Sequence, residues 1–123
     1  MAGRSRREDR FWGWVHYTAA KVGRGELYDT HAALDFLRTV VIGPLALAAA
    51  GHQPSGVRRI ETRAPEVAEQ LKATLVGFDR DECIAALRTI IALYRQLRPA
   101  TAVRRDAAEV AAVAYVDEIA ARR

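Results

Sequence analysis

The sequence predicts an all-α fold, an antiparallel up-and-down helical bundle of four to five helices, on three observations. Apolar residues recur at helical spacing along most of the 123 residues. No Asn-Gly or Asp-Gly signal joins alternating runs into hairpins. Glycine and proline stand where helices would stop or start. A chain of this length reads as a single domain. Its expected parts are a flexible basic N-terminus over 1–7, a bundle core over 8–98 and a C-terminal helix over 99–123.

The first helix is expected from Arg6 to Val22. Phe11, Val15, Thr18 and Val22 form one stripe, widened by Trp12 and Ala19, and Gly23-Arg24-Gly25 stops it. The second runs from Glu26 to Ala50. Leu27, Leu34, Val41 and Ala48 lie seven apart beside Leu37 and Leu45, and Phe36, Val40 and Leu47 form a second apolar arc. Such a helix is central and covered on two sides. Pro44 lacks an N–H and crowds the carbonyl four residues back, which predicts a kink near Val40.

Residues 51–63 carry no periodicity. A short third helix over 65–75 starts on Pro65, which suits a first turn. The fourth, 81–97, carries Ile84, Leu87, Ile91 and Tyr94, with Asp81 as its expected N-cap and Pro99 beyond its end. The fifth, 103–122, is rich in Ala and Val, with Val110, Val113, Val116 and Ile119 as its apolar positions.

The net charge of +4 is terminal, because residues 11–121 carry equal numbers of bases and acids. No basic stripe crosses the body, which argues against nucleic-acid binding. No run of 18 apolar residues occurs, so no membrane-spanning helix is expected. The single Cys83 cannot form an internal disulfide, and no apolar signal core follows the basic start. The chain reads as cytoplasmic.

Two polar faces carry potential chemistry. On the first helix, Arg10, Tyr17, Lys21 and Arg24 fall within about 60° of arc. Three cations and a phenol there suit a polyphosphate, although spacing alone favours an ordinary solvated face. On the second helix, Tyr28, His31, Asp35 and Arg38 share about 80°. Asp35 can accept from ligand hydroxyls or ammonium groups, or pair with Arg38 one turn on. His16 reads as a hydrogen-bonded residue at the core edge. His31 and His52 have no partners at metal-ligand spacing, so no metal site is expected.

Several motif fragments fall short. Arg10 and His16 have the spacing of a HEPN-like RNase pair, but Phe11 stands where that motif has a polar residue. Asp79-Arg80-Asp81 has the look of paired metal-binding aspartates without the strand and Gly-Ser loop that would aim them. Gly23-Arg24-Gly25 lacks the strand and the Gly-Lys-Ser/Thr of a phosphate loop. No catalytic residue is assigned.

The run Arg10-Phe11-Trp12-Gly13-Trp14-Val15-His16-Tyr17, followed by Lys21-Val22-Gly23-Arg24-Gly25-Glu26-Leu27, resembles the start of the C-terminal helical domain of bacterial antibiotic-type nucleotidyltransferases, the aminoglycoside and lincosamide adenylyltransferase relatives. Asp35-Phe36-Leu37-Arg38, Gly43-Pro44-Leu45, Gly56-Val57-Arg58-Arg59-Ile60-Glu61 and Ala92-Leu93-Tyr94-Arg95 continue the likeness in order. It covers residues 8–98. In such enzymes a polymerase-β-like domain binds Mg²⁺ and ATP, and the helical bundle closes over the cleft and helps hold the acceptor.

The resemblance implies phosphate contacts from Tyr17, Lys21 and Arg24, and acceptor contacts from Glu26, Asp35 and Arg38. It implies a catalytic nucleotidyltransferase domain as partner, in cis or in trans. This sequence matches only the helical part. The expectation is a binding module that holds no cofactor by itself and is inactive alone, ATP and Mg²⁺ belonging to the complete enzyme. The competing expectations are a structural or interaction bundle, homodimeric or antitoxin-like, and the HEPN-like RNase.

Overall fold

The computed structural model describes residues 2–100 and 102–122, with side chains from Arg7 onward. It is an all-α bundle, and no strand occurs among the described residues. In chain order the elements are α1 (Ala2–Gly23), α2 (Leu27–Phe36), a π-helical stretch (Leu37–Ile42), α3 (Gly43–Ala49), α4 (Ile60–Arg63), α5 (Pro65–Leu71), a 3₁₀ turn (Lys72–Thr74), α6 (Arg80–Leu97) and α7 (Asp106–Ala121).

The expected stripe of α1 is the buried one: Phe11, Trp12, Val15, Thr18, Ala19 and Val22 are all inside, against α2, α6 and α7. Phe11, Val15 and Val22 each contribute about 1.5–3 kcal/mol by leaving water. The helix starts at Ala2, earlier than the expected Arg6, and takes in the N-terminal run that composition reads as flexible. What ties this end down is Glu8, buried between Trp12, Tyr94 and Arg98. At the other end Glu26 N–H donates to Lys21 O and Gly25 N–H to Val22 O. This is a Schellman closure, and Gly25, at φ +75°, supplies its left-handed residue.

The second predicted helix is one continuous rod, but its distortion is a π-helical stretch and not a simple kink. Gly43 N–H reaches back five residues to Arg38 O. The extra residue relieves the crowding that Pro44 would impose on a regular helix. It also shifts the apolar register. Leu34, Leu37, Ile42 and Leu45 are buried, whereas Ala48, in the seven-residue row, is exposed. Of the second arc Leu47 is buried, and Val40 lies half in solvent. The stretch Leu27–Ala49 contains an 18-residue window of mean hydropathy 1.6, so it is long and apolar enough to cross a membrane by length and composition. That corrects the sequence expectation, which required an unbroken apolar run. Here the rod is the core element of the bundle, packed on α1 and α6.

Pro65 opens α5 as expected. The N-cap of α6 is Asp79 and not Asp81: Asp79 Oδ2 accepts from Glu82 N–H at 2.9 Å, while Asp81 sits in the first turn beside Arg80. Glu82 Oε1 in turn accepts from Gly77 N–H. On α7 the buried positions are Ala112, Val116 and Ile119. Val110, expected inside, is exposed, because a strict three-residue spacing drifts around the helix away from α1.

The loop 50–59 returns to the rod at one point. A Cβ on Gly43 would fall on the Gly56 carbonyl oxygen, so this glycine is required by close backbone approach.

Candidate functional site

The phosphate-binding expectation centred on Tyr17, Lys21 and Arg24. The Schellman turn folds Glu26 back over both cations. Lys21 Nζ lies 3.0 Å from Glu26 Oε1 and 3.2 Å from Asp29 Oδ2, and Arg24 Nε donates to Glu26 Oε2 at 2.9 Å. Lys21 also stands over the Tyr17 ring, 5.1 Å from its centroid. Hydrogen bonds from Arg24 and then Lys21 hold the Glu26 carboxyl below its ordinary range, and Glu26 raises Lys21 and Arg24 in return. Two cations thus meet two carboxylates in a closed knot. The three residues come together as expected, but their charge is spent within the chain. Glu26, expected on the acceptor, is the centre of this knot.

Asp35 and Arg38 line a groove of about 550 Å³ between the rod and the α4–α5 segment. Val57, Ile60, Leu71 and Leu75 give it an apolar floor, and Glu61, Glu69 and Lys72 stand at its edges. The Arg38 guanidinium is pinned: its Nη1 donates to Thr74 O at 3.0 Å and Thr74 Oγ1 at 3.1 Å. Burial lowers its pKa, and Asp35 opposes that fall. Asp35 is 3.6 Å from Arg38 Nη2, with 73% of its own side chain in solvent. Lys72 is taken by Glu69 at 2.9 Å. Glu61 makes no ion pair or side-chain hydrogen bond among the described residues.

This groove therefore offers a carboxylate unpaired among the described residues, a loosely held one and a fixed guanidinium around an apolar base. It can accept hydrogen bonds from ammonium and hydroxyl groups while packing a carbon ring beneath them. Glu61, Glu69 and Thr74 were not marked by sequence reasoning. Only Glu61 carried a signal, since it ends the quoted segment Gly56–Glu61.

The remaining candidates separate. Arg10 lies in a hollow beside Trp14, whereas His16 stacks on Tyr115 of α7, with centroids 4.2 Å apart. The two residues of the RNase pairing do not share a site. His16 is exposed and held by stacking, in place of the expected hydrogen-bonded core edge. His31 Nε2 donates to Gly77 O at 3.0 Å and so anchors the loop before α6. Among the described residues no three His, Cys, Asp or Glu side chains group in a metal-holding arrangement.

The likeness to nucleotidyltransferases rests on the sequence segments alone. Compared with protein-family models, with curated proteins and with solved structures, the chain matches none.

Proposed function

We propose that this bundle is an acceptor-binding module that works with a nucleotidyltransferase catalytic domain, in cis or in trans. Its ligand is a small molecule rich in hydroxyl and amine groups, held in the groove of Asp35, Glu61 and Arg38. The observation that carries this reading is the convergence of Asp35 and Glu61, from separate elements, over one apolar floor, with Glu61 unpaired among the described residues. The resemblance of residues 8–98 supports the partner. Mg²⁺ and ATP would be held by that partner, which alone would bring the paired carboxylates that phosphoryl-type transfer needs. The phosphate role of Lys21 and Arg24 gains no support from their closed ion pairs.

Titration with an aminoglycoside panel, followed by backbone amide NMR, tests the reading. Shifts are expected around Asp35, Glu61 and Thr74, and D35N/E61Q is expected to weaken binding at least tenfold. Binding that ignores the double variant overturns it. With ATP, Mg²⁺ and the same panel the chain is expected to release no pyrophosphate.

One observation favours a second reading, an interaction bundle. Tyr28, Leu75 and Phe78 are 84%, 67% and 60% exposed, and the Tyr28 and Phe78 rings lie 4.8 Å apart. Light scattering over a concentration series tests it, and a strictly monomeric chain counts against a homodimer.

A further inference from the structure

A second hollow, of about 580 Å³, lies on the other side of the rod from α4 and α5, between α1 and the π-helical stretch. Trp14 and Phe36 form its aromatic wall, their rings tilted by 30° with centroids 4.3 Å apart. Val40, Val41 and Phe11 add apolar lining, and Arg7 and Arg10 complete it.

Among the described residues the charge there is uncompensated. No carboxylate lines the hollow. The two acids of the same helical turn are engaged elsewhere: Glu8 points into the core, and Asp9 pairs with Arg105 at 3.1 Å. Residues 1–6, whose side chains lie outside the described set, include no Asp or Glu. The contrast with Lys21, Arg24, Arg38 and Lys72, each within 4.0 Å of a carboxylate, is direct.

Arginines three apart in a helix project from one face and can share an anion's oxygens. The aromatic wall beneath them suits a flat ring. We infer that this hollow is a binding site for a planar aromatic or heteroaromatic ring bearing a phosphate or carboxylate, with the ring against Trp14 and Phe36 and the anion on Arg7 and Arg10. It stands apart from the acceptor groove and does not depend on that reading.

Trp14 reports on the site. The other tryptophan, Trp12, is buried with its Nε1–H on Glu8. Trp fluorescence of the full chain is titrated with a nucleoside monophosphate, an aromatic carboxylate, inorganic phosphate and an uncharged nucleoside. Saturable quenching is expected from at least one of the two ring-bearing anions, and whichever binds tighter identifies the anion. Inorganic phosphate and the nucleoside are expected to bind at least tenfold more weakly. R7Q/R10Q, both surface changes, is expected to weaken binding at least tenfold with an unchanged melting curve, while D35N/E61Q leaves it unaltered. Three results overturn the site: no ring-bearing anion binds, the double arginine variant binds as well as the parent, or quenching persists undiminished in W14F.

Discussion

The Tyr94 hydroxyl donates to Glu8 Oε1 at 2.7 Å, joining residues 86 apart in the chain. Glu8 is 1% exposed and also accepts from Trp12 Nε1 at 3.0 Å and Arg98 Nη1 at 3.2 Å. A carboxylate so placed would be costly without partners, and here its donors come from α1, α6 and the segment just after α6. Arg98 is shared with Glu109 of α7 at 3.0 Å. One buried ion network therefore clamps the two ends of the chain against α6.

Breaking the clamp should be severe. Glu8→Ala leaves the Tyr94 hydroxyl and the Trp12 N–H without an acceptor and half-strips Arg98, a loss of about 3–5 kcal/mol. Tyr94→Phe keeps the carboxylate and the ring and should cost less, about 1.5–3 kcal/mol for one hydrogen bond to a charged group. Urea unfolding of the two variants measures both.

The same network sets an acid limit. Burial pushes the Glu8 carboxyl up, but hydrogen bonds from Tyr94, Trp12 and Arg98 outweigh it and hold the group below its ordinary 4.5. Glu109 is lowered likewise, burial being outweighed by Arg98 and Arg95. Groups lowered by folding contribute stability that is present above the unfolded value and lost as pH falls through the folded one. Melting temperature should therefore fall as pH drops below 4.5, and Glu8→Gln should flatten that descent. Burial, and then the bond to Glu8, raises Tyr94. Its contribution should be lost above pH 10, the ordinary tyrosine value.

Two glycine substitutions should have opposite signs. Gly43→Ala drives a methyl into the Gly56 carbonyl, backbone that has little room to yield, and should destabilise by about 1–3 kcal/mol. Gly13 lies mid-helix with nothing within 4 Å of an added Cβ, so Gly13→Ala should stabilise by about 0.5–1 kcal/mol. Paired thermal melts decide both.

Glu26→Gln frees Lys21 and Arg24 from their main carboxylate. Affinity for inorganic triphosphate should rise several-fold over the parent chain, whereas K21A/R24A in the parent background should change it little. Calorimetry at low ionic strength distinguishes the two, because such contacts are strongly screened by salt.

The stripe Phe11, Val15, Thr18 and Val22 was legible because regular helical spacing and burial coincide along α1. The π-helical stretch left a trace that a regular period passes over: Leu34, Leu37, Ile42 and Leu45 are spaced three, five and three, and the five marks the extra residue. Glu8 was invisible for another reason. It stands three residues before Phe11, in line with the buried stripe and apart from Asp9, which faces solvent. Its partners Tyr94 and Arg98, however, lie in and just beyond α6, so spacing along α1 could not show what would neutralise a carboxylate there. The chemistry of Lys21 and Arg24 was misread because angular position says which side chains share a face. It does not say that the turn after Gly25 swings Glu26 back onto them.

The Leu37–Ile42 segment has a geometric result of its own. Were Thr39 excised, the leucines and isoleucine on either side would fall three, four and three apart, the ladder of an undistorted rod. The core thus has no need of the additional residue. Besides easing the crowding at Pro44, it leaves Thr39 bordering the acidic hollow and Val40 the cationic one. Two consecutive residues of the widened turn furnish a wall to each, which makes them back-to-back rooms sharing one partition.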